Sequence, residues 1–457
     1  MSEAVCSLFD TLSPDVPVAF WKGEYIYPEK FQQHVYAIAE TLPDKKYAVN
    51  LCEDRYLFLV AFAACLLKAQ ASLLPPSRAE NEIERLFELY ADAYCLVDNE
   101  ADVRCQEKCV IQLDNINIVT QPECNFTNDA VAAIVFTSGT TGSSKPHKKR
   151  WKDLVMSTSK LKQGLGLKAK GFDTIVATVP PQHMYGLEMS IVYPLVNKAC
   201  MHAGRPFFPQ DIKDDINDVQ SPCVLVTTPI HLSACNDAEI EWPEIKSIIS
   251  AASKLSVEVA TEAESKMKTR VQEVYGCTEV GAIATRRTTV EKKWMLLEGY
   301  RVIKKADSAF LNIPGAEEQI ELPDKIDVID QDSFVLIGRG SDIVKIGGKR
   351  ESLSNITNVL KNISGVEDGL IFKPDTSGST QPRLAAIVVA PGLSEAVILQ
   401  ELKKNIDQVF LPRKIIKVNH LPYSDTGKLT LDSLNAEFSN HTTKRNQQIA
   451  AKRGYGS

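Results

Sequence analysis

Phe136 to Pro146, FTSGTTGSSKP, gathers two glycines, six hydroxyl side chains and one lysine. Small residues let backbone amides approach a ligand closely, and amides with hydroxyls and an ammonium group suit an anion, phosphate above all. The stretch is not a kinase-type phosphate loop, which needs four residues between its glycines and a hydroxyl after the lysine. Here two residues separate Gly139 from Gly142, and Pro146 follows Lys145. A lone glycine-rich loop is more often a plain turn than a binding site, so the rest of the chain must decide.

Three further stretches carry groups for phosphate and carboxylate chemistry: VYGCTEVG (274–281), LPDKIDVIDQDSFVLIGRGSDIVKIGGKRESL (322–353) and LPYSDTGKL (421–429). With the first loop, and in this order, they resemble the motifs of the adenylate-forming superfamily. That superfamily includes acyl- and aryl-CoA synthetases, luciferases and the adenylation domains of peptide synthetases. The four motifs span positions 136 to 428, about two thirds of the chain. A finer resemblance, carried by KPHKKRWKDL, MHAGRPFFPQDI, GCTEVGAIATRR and LPRKIIKVNHLPYSDTGKLTLDSL, is to a compact bacterial branch of AMP-ligases found with aryl polyene and fatty-acid-type biosynthetic enzymes.

The resemblance implies a reaction and a set of roles. A carboxylic acid attacks the α-phosphate of ATP, pyrophosphate leaves, and the acyl adenylate passes to a phosphopantetheine thiol of an acyl carrier protein or of CoA. Two anions must be held in line and their charge neutralised. Thr137, Ser138, Gly139, Thr140, Thr141, Gly142 and Lys145 would wrap the β- and γ-phosphates. Thr278 would donate to the α-phosphate, Glu279 would hold Mg²⁺, and Tyr275 would pack on adenine. Asp324 would grip the ribose hydroxyls with Arg339 beside it, although Leu-Pro-Asp stands where the family has Thr-Gly-Asp and Asp327 and Asp330 lie close by. Lys428 would reach the carboxylate and the α-phosphate during adenylation, and Gly348, flanked by Lys349 and Arg350, would let a pantetheine arm pass close to the backbone in the thiol step. His183 in PPQHMYG would stand between the acyl pocket and the magnesium side. TTPIHL (227–232) and SAAS (250–253) would line the acyl and adenine pockets. Two departures stand out: Ser341 occupies the usual hinge position, and Ala252-Ser253-Lys254 replaces a Gly-Ala-Pro.

Such a site needs elements that end together. The runs AAIVFTS (132–138), TIVATVP (174–180), CVLVTTP (223–229), IKSIISAA (245–252) and RVQEVYG (270–276) are short, apolar and separated by helix-length stretches. That texture predicts parallel strands buried on both faces, and so an α/β fold. In such sheets ligands collect beyond the carboxyl ends of strands, where TSGTTG, PPQHMYG, SAAS and YGCTE all fall. After Gly338 the elements shorten, with a helix expected from about Ser394 to Val409, and the texture becomes that of a small α+β module. The expected organisation is a large acid-activating domain over 1–338, a small mobile domain over 339–440, and a disordered tail over 441–457.

Composition excludes several classes. With 457 residues, 44% hydrophobic and 24% charged, the chain has material for more than one domain. A formal net charge of −6 provides no broad basic field, which argues against nucleic acid as the main partner. The longest apolar run, Tyr56 to Leu67, is too short for a membrane span of ~20 residues and reads as a buried helix. The N-terminus shows no secretory pattern, and eleven cysteines without a CxxC pair read as reduced core thiols of a cytoplasmic protein. The identity of the acid, aryl or fatty, stays open at this level, as does the choice of carrier protein or CoA. A catalytically silent acyl- or nucleotide-binding protein is the rival from another class.

Overall fold

The computed structural model describes residues 5–6, 8–75, 78, 80–102, 105, 107–113, 126–137, 145–168, 170–305, 308–315, 318–339, 343–346, 349–374, 384–423 and 429–441. Two large sheets carry the first three quarters of the chain. The larger has eleven strands, and at its centre Val271–Cys277, Ser247–Ser250, Cys223–Thr227 and Thr174–Ala177 lie side by side in parallel. These are four of the five runs expected from sequence. Cys223–Thr227, Ser247–Ser250 and Thr174–Ala177 are buried throughout, because helices cover both faces of a parallel sheet. Gly281–Arg286 adds antiparallel to Val271–Cys277, and through Trp294–Leu296 the sheet continues to the hairpin Asp324–Asp330/Ser333–Arg339.

The fifth run, Val131–Thr137, belongs to the other sheet, a six-stranded one whose order places it between Ala71–Leu74 and the edge strand Lys145–Arg150. It pairs parallel with Ala71–Leu74 and antiparallel with Lys145–Arg150. The two sheets share a core into which the helix Arg55–Leu67 is sunk, with every residue but Leu57 buried. Asp54 caps that helix, its carboxylate accepting the Leu57 amide at 2.9 Å. No helix of the described residues is long and apolar enough to cross a membrane.

Beyond residue 343 a separate core forms around a three-stranded sheet, Asp368–Phe372, Ala385–Val389 and Lys414–Lys417, with the helices Leu353–Lys361 and Glu395–Asn405 against it. This is the α+β module read from the sequence. Its second helix is shorter than expected: Ser394 is its N-cap, it stops at Asn405, and Asp407 caps a new 3-10 turn at Gln408–Phe410. A second correction concerns the cysteines. Cys95 and Cys105 are joined in a disulfide, because the loop after the strand Ala93–Val97 folds back and brings their Cα atoms to 6.2 Å. Among the described residues seven others, Cys277 included, are free thiols.

Candidate active site

The carboxyl ends of the four central strands converge on one edge of the large sheet, and each end is fastened to a neighbour. The guanidinium of Arg55, 1% exposed, donates to the carbonyls of Ala177 at 2.8 Å and Val179 at 3.1 Å and to Ser190 Oγ at 2.5 Å. It thereby holds the turn that leads into PPQHMYG. Burial lowers the Arg55 pKa to about 9, so it remains cationic at neutral pH. His183 follows as the N-cap residue of the short helix Met184–Gly186, half-buried. Two residues on, the Tyr185 hydroxyl donates to the Ile249 carbonyl at 2.9 Å, and Thr178 and Thr227 meet through their hydroxyls at 3.0 Å. In TTPIHL the Thr228 hydroxyl meets His231 Nδ1 at 2.9 Å.

SAAS ends the strand Ser247–Ser250 and carries a backbone feature. Ala252 has φ of 75°, the left-handed region that favours glycine. Its departure from the family glycine therefore carries strain of roughly 1–2 kcal/mol. Ala252→Gly releases that strain but loosens the unfolded chain by roughly 0.4–1 kcal/mol. The expected net effect is a gain of up to about 1.5 kcal/mol in unfolding free energy, read as a higher midpoint in urea at unchanged slope; a lower midpoint would contradict the strain.

The turn after Val271–Cys277 is tight. A Cβ on Gly276 would lie 2.3 Å from the Gly281 carbonyl oxygen, and Gly281 itself has φ of 108°. Only glycine fits at either place without a backbone shift. The turn lifts Thr278 to a half-buried position and leaves the Glu279 carboxylate 40% exposed. Against it lies the strand Lys145–Arg150, which returns from the phosphate-loop region and pairs Lys145 with Thr137. Lys145, His147 and Lys149 are spaced by two and so share one face of this strand. Lys145 is exposed. His147 Nε2 lies 4.0 Å from Glu279 Oε1 and is buried without a hydrogen-bond partner, and Lys149 Nζ donates to the Glu279 carbonyl at 2.7 Å. Burial lowers the His147 pKa, against the pull of Glu279, so the ring is neutral at physiological pH. One accessible carboxylate suits a hard divalent cation whose remaining ligands are phosphate oxygens and water.

Tyr275, at the start of the same motif, is 7% exposed, with its ring against Trp294 and Phe334 at 5.7 and 5.5 Å between centroids. Its hydroxyl donates to Asp324 Oδ2 at 2.9 Å. Asp324 pairs in register with Arg339 across the hairpin, whereas Asp327 and Asp330 are exposed. Of the three aspartates, Asp324 alone is joined to the Tyr-Gly-x-Thr-Glu turn by a described side-chain hydrogen bond.

The structure thus brings Tyr275, Thr278, Glu279 and Asp324 around one turn, with Lys145 on the strand that lies against it, and Thr137 and Arg339 on the strands paired with Lys145 and Asp324. His183 is in the segment after Thr174–Ala177, which two strands separate from Val271–Cys277 along the sheet edge. Ser138, Gly139, Thr140, Thr141, Gly142, Ser341, Gly348 and Lys428 lie outside the described residues. Arg55, His147, Lys149 and Glu188 were not singled out by sequence. The alternation in KPHKKR was the available signal for two of them.

Comparison with known proteins follows the same lines. A family model described as AMP-binding enzyme matches residues 41–304, more than half of the chain. A 4-coumarate–CoA ligase of Halorhodospira halophila is 25% identical over 308 residues, covering 64% of this chain and 73% of that protein. A 2-succinylbenzoate–CoA ligase of Staphylococcus epidermidis is 22% identical over 69% of this chain and 72% of its own. Among solved structures, ATP-bound MatB from Rhodopseudomonas palustris superposes with a TM-score of 0.80 at 18% identity, covering 94% of this chain and 97% of that one. The O-succinylbenzoate coenzyme A synthetase MenE of Bacillus subtilis in complex with AMP gives 0.80 at 16% identity, over 93% and 97%.

Proposed function

The chain belongs to the AMP-binding enzyme family, and on that premise we propose that it is an acid–thiol ligase. It activates an aryl or fatty carboxylic acid with MgATP and transfers the acyl group to a phosphopantetheine thiol. The carrying observation is that groups suited to phosphate, metal and ribose meet at one turn: the Lys145 strand is fastened to Glu279 by Lys149, and Asp324 is fastened to Tyr275. Both named ligases among the relatives join an acid to CoA, which supports the same overall reaction here.

In this reading Lys145 and the residues from Thr137 to Gly142 bind the β- and γ-phosphates. Thr278 orients the α-phosphate for in-line attack, and Asp324, oriented by Tyr275, takes the ribose hydroxyls. Glu279 is the residue that would hold Mg²⁺, which when bound neutralises charge on the phosphate oxygens. His183 lies toward the acid side. Lys428 brings a compact, mobile charge to the carboxylate and the α-phosphate. The small domain over 339–440 then rotates, exchanging Lys428 for Gly348, and the thiol attacks the acyl carbonyl as AMP leaves. Closure around the mixed anhydride protects it from water.

The acceptor is tested by incubating the protein with ATP, Mg²⁺ and a panel of acids, with either CoA or a phosphopantetheinylated acyl carrier protein, and weighing the products. An acyl thioester on either thiol is the expected result, and the preferred one names the acceptor. AMP release with free acid and no thioester would overturn the second half of the proposal.

A further inference from the structure

Two charged side chains lie behind the Thr278–Glu279 turn, and neither touches its solvent side. Lys149 is 3% exposed and Glu188 2% exposed. They come from different elements, Lys149 from the strand that follows the phosphate-loop region and Glu188 from the helical segment that follows His183. Lys149 Nζ donates to the Glu279 carbonyl at 2.7 Å. The Glu188 carboxylate accepts the Ala282 amide at 3.1 Å through Oε2 and the Ser157 hydroxyl at 2.5 Å through Oε1. It packs so closely that a Cβ on Gly281 would lie 2.4 Å from Oε1.

The turn is therefore held at both shoulders, by a cation on the carbonyl of Glu279 and by an anion on the amide of Ala282. Burial lowers the Lys149 pKa and raises that of Glu188, while the charge of each partner opposes the shift of the other. Burying two charges is costly even when each feels the other, so stability alone is a weak reason for keeping them. What this pair does supply is a fixed direction for a carboxylate that is otherwise exposed.

We infer that Lys149 and Glu188 are positioning residues that set the Thr278–Glu279 turn for metal–nucleotide binding and couple it to the phosphate-loop strand and the acid-side helix. The inference rests on the acid-activating reading above. Groups that support a metal ligand from outside are typically worth about 10- to 100-fold in metal affinity.

The test uses the full chain and MnATP as the probe, with protein-bound labelled ATP read by equilibrium dialysis over a range of Mn²⁺ concentrations and without acid. Lys149→Met is expected to weaken Mn²⁺-dependent ATP binding by about tenfold or more. In turnover the loss should fall on KM for MgATP and on the Mg²⁺ level giving half-maximal rate, with kcat at saturation largely kept. A loosened fold would not single out those terms. Glu188→Gln keeps an acceptor for the Ala282 amide but removes the counter-charge, and should shift the same constants in the same direction. If Lys149→Met does not fold, Glu188→Gln carries the test alone. Native metal–nucleotide affinity in a folded Lys149→Met, or in Glu188→Gln where it stands alone, overturns this inference. Absence of Mn²⁺-dependent ATP binding in the native protein overturns the acid-activating reading along with it.

Discussion

Replacing Lys428 with alanine is expected to lower acid-dependent pyrophosphate exchange by about 100- to 1000-fold, the loss that follows removal of one well-placed group stabilising transition-state charge. The carboxylate oxygen and the α-phosphate both carry negative charge as they close, and the motif LPYSDTGKL supplies the one lysine that the family resemblance puts between them. The loss should be confined to the first half-reaction. On the proposed domain exchange Lys428 leaves the site before the thiol step, so thioester formation from a chemically prepared acyl adenylate should run close to the native rate. Measuring both half-reactions on the same variant separates this role from damage to the fold. Equal losses in the two would contradict the domain exchange.

Glu279→Gln carries the second large effect. The substitution keeps the size of the side chain and the Lys149 bond to the backbone carbonyl, and removes only the charge. Exchange should fall by about 100-fold or more, and the Mg²⁺ concentration needed for half-maximal exchange should rise, because magnesium takes carboxylate oxygen in preference to amide. Stability should change little, since the carboxylate is 40% exposed and the His147 ring nitrogen 4.0 Å away is neutral. Unchanged magnesium dependence would remove Glu279 from the metal site.

How the site could be read from sequence follows from what each residue does physically. Continuous β-branched runs announce strands buried on both faces, so Thr174–Ala177, Cys223–Thr227, Ser247–Ser250 and Val271–Cys277 were legible as parallel strands, and the ends they share as a candidate site. Val131–Thr137 has the same texture but joins the other sheet, because periodicity reports burial and not partner. Asp324 was uncertain against Asp327 and Asp330 until the Tyr275 hydroxyl settled which carboxylate meets the turn. Arg55, Lys149 and Glu188 were invisible for a different reason. A charged side chain read alone belongs to solvent, and only tertiary contacts make its burial tolerable. The KPHKKR strand shows this plainly: its six residues look like a solvated basic stretch, yet Lys149 is among the most enclosed groups near the site. Ala252 is a departure that sequence could flag but not interpret, since its left-handed backbone is a property of the turn.

The most direct test of the central claim is acid-dependent exchange of labelled pyrophosphate into ATP by the native protein, over hydroxybenzoates, cinnamates and fatty acids of several lengths. The account predicts exchange that requires both Mg²⁺ and one class of these acids, and that class names the substrate. No exchange with any acid, from protein that still binds ATP, would contradict it and favour a nucleotide-binding protein that does no chemistry.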